Sequence, residues 1–125
     1  IERFINNQQL FMCMNISKED LLRINEGFGG NLRSDSSIGF AIEMINEPKP
    51  GFYTKLAYLW RAILVDHPFS DGNKRTAVFL AYGLAEENKK QVIDRELLIN
   101  HAVSIAKKNI ISIRQIAWRL QNAIR

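Results

Sequence analysis

Apolar residues recur at helical spacing along nearly the whole of this chain, and no two neighbouring runs alternate with the period of two that a hairpin needs. That pattern predicts an all-α bundle. The stretch from Lys74 to Glu87 narrows the choice further, because Ala77, Val78, Phe79, Leu80, Ala81, Tyr82 and Leu84 leave it almost no polar face. It is predicted to be the buried centre of the bundle. With 125 residues, 46% of them hydrophobic, the chain suits one domain over 1–125 with a core of its own.

The remaining helices are set by caps and breakers. Ile1, Phe4, Ile5 and Phe11 predict a first helix, and Ser17 is a good N-cap for a second that carries Leu21, Leu22 and Ile24 and stops near Gly27. Gly27-Phe28-Gly29-Gly30-Asn31 is too permissive to continue it and opens the one long loop, a candidate for a locally paired flap. A third helix, capped by Ser36 or Ser37, carries Ile38, Ala41, Ile42 and Ile45 and ends before Pro48-Lys49-Pro50-Gly51. The fourth puts Tyr53, Leu56, Ala57, Trp60, Ile63 and Leu64 on one stripe, with Lys55 and Arg61 off it, and its face extends to His67. After the central helix, one helix opens at Asp94 and another at a Ser112 to Gln115 capping box.

Charge and cysteine content bound the function. The net charge is +4, yet the basic residues are scattered, a balance that an anionic small ligand or an acidic protein partner explains as well as DNA does. The lone Cys13 excludes an internal disulfide or a cysteine-cluster metal site and suggests a reducing, cytoplasmic setting. No apolar run approaches the ~20 residues of a membrane-spanning helix.

Chemistry concentrates between His67 and Arg75. The backbone N–H groups that open the helix after Gly72 lack intrahelical partners and carry positive partial charge, so they form an anion site. Gly72 lets a phosphate approach the backbone, Lys74 and Arg75 add charged donors, and Asn73 caps the helix or orients the loop. Asp71 is a single carboxylate, which is what Mg²⁺ needs when phosphates complete its shell. His67, next to Pro68 at the frayed end of the preceding helix, is placed as a base for a hydroxyl nucleophile. Taken alone, Asp71-Gly72-Asn73 is an ordinary turn, but a turn does not account for Lys74 and Arg75. His101 is predicted to be a hydrogen-bonded core residue outside the site.

The run HPFSDGNKR, His67 to Arg75, resembles the His-Pro-Phe-x-Asp/Glu-Gly-Asn-x-Arg signature of the Fic/Doc family. Ser17 to Ile24, the Gly-Gly-x-Leu-Arg loop at Gly29 to Arg33 and the last two helices also look like its Doc branch, so the likeness covers most of the chain. The resemblance implies a compact Fic-type helical bundle, with the motif loop before a central helix and a flap that aligns the target. It implies His67, Lys74 and Arg75 as catalytic residues, with His67 the general base. Gly72, Asn73, Lys74 and Arg75 are then the nucleotide-phosphate contacts, Asp71 the Mg²⁺ ligand, and Gly29, Gly30, Leu32 and Arg33 the flap that docks the target. ATP is the implied co-substrate, and a serine, threonine or tyrosine hydroxyl of another protein is the acceptor.

Two departures separate this motif from the AMP-transferring members, which resemble Gly-Asn-Gly-Arg-x-x-Arg. Lys74 stands in place of the last glycine and Val78 in place of the second arginine, both as in the Doc branch. The branch implies transfer of the γ-phosphate, a protein kinase activity; Gly72 follows the AMP-transferring pattern, which keeps AMPylation as the alternative. The family's inhibitory Ser/Thr-x-x-x-Glu-Gly/Asn helix is not intact at Glu26-Gly27, led by Leu22, or at Glu87-Asn88, led by Gly83. Restraint is therefore expected from a partner such as an antitoxin, in keeping with a toxin, or from residues outside this sequence. The competing class is a non-enzymatic helical module that binds nucleotide or nucleic acid; salt-sensitive DNA retention without ATP-dependent labelling would favour it.

Overall fold

The computed structural model describes residues 14–125, and the helix expected over Ile1 to Phe11 lies outside them. Within that range the chain forms six helices: α1 (Lys18–Gly27), α2 (Ser36–Ile45), α3 (Phe52–Leu64), α4 (Asn73–Glu87), α5 (Arg95–Lys108) and α6 (Ile113–Ala123). No strand forms among the described residues, only the isolated bridges Leu32 to Phe69 and Val92 to Ile124. The chain is thus an all-α bundle.

Sequence caps set most of the boundaries. The Ser17 hydroxyl accepts from Asp20 N–H while the Asp20 carboxylate accepts from Ser17 N–H, so two orphan donors of α1 are satisfied reciprocally. Asp94 and Ser112 accept from Leu97 and Gln115 N–H, although at Ser112 the reciprocal half of the expected box is not formed. α2 departs from expectation: Asp35 holds the cap position without a capping bond, because its carboxylate pairs instead with Lys18 Nζ at 2.6 Å.

α3 is the spine and packs on α2, α4, α5 and α6. Trp60, fully buried, donates its indole N–H to the Ala77 carbonyl at 2.9 Å, which satisfies the one polar atom of the largest core side chain and fixes α3 against α4. Tyr53 reaches the Ile124 carbonyl at 2.7 Å and ties α3 to the end of the chain. Lys55, expected on the outer face, is buried: it stands three residues after Phe52 and four before Leu59, both core positions. Burial lowers its pKa, with Glu47 opposing.

α4 follows the motif loop and lies among α1, α3 and α5. Its all-round apolar pattern has two destinations. Ala77, Leu80, Ala81, Leu84 and Ala85 enter the core, whereas Phe79 and Tyr82 are 51% and 39% exposed.

His101 on α5 departs from the hydrogen-bonded residue expected, since its Nε2 is buried with no partner among the described residues. Burial, reinforced by the Arg119 charge against the opposing Asp94, lowers its pKa from 6.5. The fold therefore prefers the neutral ring; that contribution is complete above the unfolded value and is lost as pH falls through the lower folded one. Wild type is expected to lose denaturation midpoint below pH 6.5 more steeply than His101→Gln. Parallel slopes in the two proteins would exclude a folded-state shift.

Candidate functional site

The site is built where α3 stops and α4 starts. α3 ends at Leu64, three residues short of His67. His67 itself has left-handed backbone, φ +49°, and a half-buried side chain. Pro68 disfavours the right-handed helical region at the preceding residue, so α3 does not continue through His67 and the chain turns into the motif loop there. Phe69 follows at 1% exposure as the anchor of the loop.

Asn73 closes the loop. Its Nδ2 donates to the Phe69 carbonyl at 3.0 Å and its Oδ1 accepts from Phe69 N–H at 3.2 Å, a two-point clamp on the backbone. Of the two roles the sequence allowed this residue, orienting the loop is the one its side chain performs. Gly72 then takes φ +75°, and a Cβ there would stand 3.0 Å from Phe28 Cβ, so conformation and space both select glycine.

α4 opens without a side-chain cap. The Gly72 N–H goes to Asp71 Oδ1 at 2.8 Å, but the N–H groups of Asn73, Lys74 and Arg75 have no hydrogen-bond partner among the described residues. This is the free, positively polarised helix end that the sequence required. Lys74 and Arg75 are exposed on its first turn. Arg75 lies 3.8 Å from the Asp71 carboxylate, donates to the Phe28 carbonyl at 3.4 Å and stands 5.8 Å from the Phe28 ring centroid. The Asp71 side chain is 70% exposed. Among the described residues no three histidine, cysteine, aspartate or glutamate side chains gather as a metal cage. One open carboxylate beside unpartnered N–H groups is the donor set that suits Mg²⁺ carried by a polyphosphate.

The long loop pairs with the motif loop instead of with itself. Arg33 and Ser34 N–H donate to the Pro68 carbonyl at 2.7 and 3.2 Å, and Ser70 N–H donates to the Asn31 carbonyl at 2.8 Å. Asn31 N–H reaches Ser70 Oγ at 3.0 Å, and Leu32 forms the bridge with Phe69. Leu32 and Arg33 thus lie alongside the candidate base, both exposed. Gly29 has φ +87°, and Gly30 is packed directly against Asn25 and the Asp71 carbonyl.

Asn25 is the residue that the sequence reading missed. At 1% exposure on α1, it donates from Nδ2 to the Asp71 carbonyl at 2.8 Å and to Thr76 Oγ1 at 3.1 Å, so it joins α1, the motif loop and α4. A signal was present: Asn25 lies four residues after Leu21, a polar side chain on the apolar stripe. Asn25→Leu is expected to destabilise the protein by about 1 to 2 kcal/mol, since one buried and one part-buried acceptor lose their donor while the unpaired Oδ1 disappears with it. An unchanged urea midpoint would show that the tie contributes nothing.

An open groove of ≈ 580 Å³ adjoins the helix start between α4 and α5, lined by Lys74, Arg75, Val78, Tyr82, Arg95 and Val103 among others. No described helix is long and apolar enough to cross a membrane. Comparison with curated proteins and with solved structures gave no match. The model of the Fic/DOC family matches residues 15–85, which is more than half of the chain and runs from the cap of α1 through the loop to Ala85 in α4.

Proposed function

Because the chain belongs to the Fic/DOC family and is a Fic-type transferase, we propose that it moves the γ-phosphate of Mg²⁺–ATP to a serine, threonine or tyrosine hydroxyl of another protein. The observation that carries the choice of phosphate over AMP is Val78. It lines the groove beside Lys74 and Arg75, at the position where the AMP-transferring pattern has its second arginine. A valine there offers no charge to hold a distal phosphate, and a charged clamp in a desolvated site is worth on the order of 2 to 4 kcal/mol, enough to decide which way the nucleotide lies.

In this reading the unpartnered N–H groups of Asn73, Lys74 and Arg75 receive the transferred phosphoryl group, with the two cationic side chains around it. His67 takes the proton of the acceptor hydroxyl as its oxygen forms the bond to the γ-phosphorus. The bridging oxygen leaves with ADP. Asp71 would hold the magnesium ion, which neutralises charge on the phosphate oxygens. Asn31 to Ser34, paired along Pro68-Phe69-Ser70 just after His67, present an exposed edge to a target segment. The intracellular setting and a restraining antitoxin belong to the same proposal.

Parallel reactions with ATP labelled at the α- or the γ-phosphorus, followed by mass spectrometry of the acceptor, test it. Phosphate mass with γ-label is expected. α-Label with an adenosine mass would replace the kinase reading by AMP transfer, with pyrophosphate as the leaving group.

A further inference from the structure

On the outer face of α6 we infer a docking surface for an acidic amphipathic helix of a partner protein, seated on Trp118 and held at its two ends by Arg114 and Arg125. No residue of the motif loop or the flap lines this face, and the inference holds whichever group the enzyme transfers.

Charge is unevenly placed along the chain. The basic residues form no run, but the acids are missing from one part of it: residues 97–125 hold Lys107, Lys108, Arg114, Arg119 and Arg125 and no aspartate or glutamate. The other 96 residues carry 12 basic and 13 acidic side chains, so the net charge of +4 arises wholly from most of α5 and all of α6. Arg119 donates to Ser104 Oγ at 3.0 Å, between the two helices. Arg114 and Arg125 are exposed and have no ion-pair partner among the described residues.

The largest side chain of α6 points away from the core. Ile116, Ala117, Leu120 and Ala123 are buried where α6 packs on α3 and α5, which accounts for the apolar stripe of the helix. Trp118 stands on the opposite side and is 64% exposed, although tryptophan is among the side chains that gain most from burial. Arg114, Trp118 and Gln121, at i, i+4 and i+7, make one continuous stripe. Arg125 Nε donates to the Gln121 carbonyl at 3.4 Å and so brings a second cation to its far end. At the near end Arg61 of α3 donates to the carbonyl of Ile111, itself 65% exposed. An open groove of ≈ 670 Å³ lies beside the stripe, with Thr54 of α3 in its lining and no acidic side chain.

Cations at both ends and a flat apolar surface between them select carboxylates that flank an apolar stripe, over the roughly 16 Å that 11 residues of helix span. An amphipathic helix laid along α6 presents both at the spacing the two helices share. A second copy of this chain does not, since two α6 faces meeting in either direction set arginine against arginine. Single-stranded nucleic acid is matched by cations that track a backbone and by several stacking rings, whereas this stripe has one ring. Tryptophan and arginine are also the side chains that dominate protein–protein binding energy.

The chain has two tryptophans and Trp60 is fully buried, so acrylamide quenching of tryptophan emission reads Trp118. The probes are a capped peptide of about 15 residues, four helical turns, with leucine at helical spacing and glutamate elsewhere; its counterpart with lysine for glutamate; and an oligothymidylate. The glutamate peptide is expected to shield Trp118 saturably and less strongly as salt is raised, and the other two probes not at all. Arg114→Glu combined with Arg125→Glu should weaken the glutamate peptide at least about tenfold and let the lysine peptide bind in its place. The urea midpoint of that variant should stay at the wild-type value, because both side chains are exposed. Trp118→Ala, followed by calorimetry, should weaken the glutamate peptide about 10- to 30-fold. Equal shielding by the two peptides would make α6 an indiscriminate apolar patch, and shielding by oligothymidylate alone a nucleic-acid surface; either overturns the proposal. So does a glutamate peptide that leaves Trp118 unshielded, or shielding that rises with protein concentration before any peptide is added, the mark of a second copy.

Discussion

Replacing His67 by alanine is expected to lower transfer about 10²- to 10⁴-fold, the usual worth of a positioned general base, while Mg²⁺–ATP affinity stays near that of wild type. The separation follows from where the imidazole sits. The unpartnered N–H groups, Lys74 and Arg75 all belong to the first turn of α4, whereas His67 precedes the loop and makes no hydrogen bond to that turn. Removing it leaves the clamp between Asn73 and Phe69 in place. Single-turnover rates and nucleotide affinity, measured on the same preparation, check the expectation. Parallel loss of binding and turnover would make His67 structural.

The second large effect is expected at Gly30, where alanine should destabilise the protein by about 1 to 3 kcal/mol, the range for forcing atoms into a filled space. An added Cβ would collide with the Asp71 carbonyl and with Asn25 Oδ1. Neither can yield cheaply: the carbonyl is backbone held by Asn25 Nδ2, and Asn25 is buried between α1 and Thr76. The least costly escape is to lift the flap from the motif loop, which breaks the bonds of Arg33 and Ser34 to Pro68. Gly30→Ala should therefore also raise the KM for the protein acceptor more than that for ATP. Gly27→Ala is the control, since nothing lies within 4 Å of the Cβ it would add. Equal urea midpoints for the two variants would refute the packing argument.

These two positions differ in how far the sequence revealed them. His67 and the helix after it were legible because caps, prolines and glycines act locally: Ser17, Asp94 and Ser112 cap the helices they were expected to cap. The Gly29 to Arg33 segment was legible as a loop but not as the partner of Pro68 to Ser70, since that pairing spans residues far apart in the chain and carries no alternating pattern. Asn25 and Lys55 were hidden for another reason. Both sit on apolar stripes, and a reading that sorts residues by polarity sends them outward although the helical register sends them in. Phe79 and Tyr82 show the converse, apolar side chains that the register leaves in solvent on the second and third turns of α4.

The left-handed backbone at His67 has a consequence for how this protein persists. A β-carbon at φ +49° carries a penalty of about 1 kcal/mol that glycine escapes. The chain therefore bears a backbone cost that glycine at this position would remove, and His67→Gly is expected to unfold at higher urea than His67→Ala. A lower midpoint for the glycine variant would remove the argument. The position therefore keeps a side chain where backbone stability alone would favour glycine, so the geometry of the candidate site and the resistance of the fold to unfolding pull against each other at this one residue.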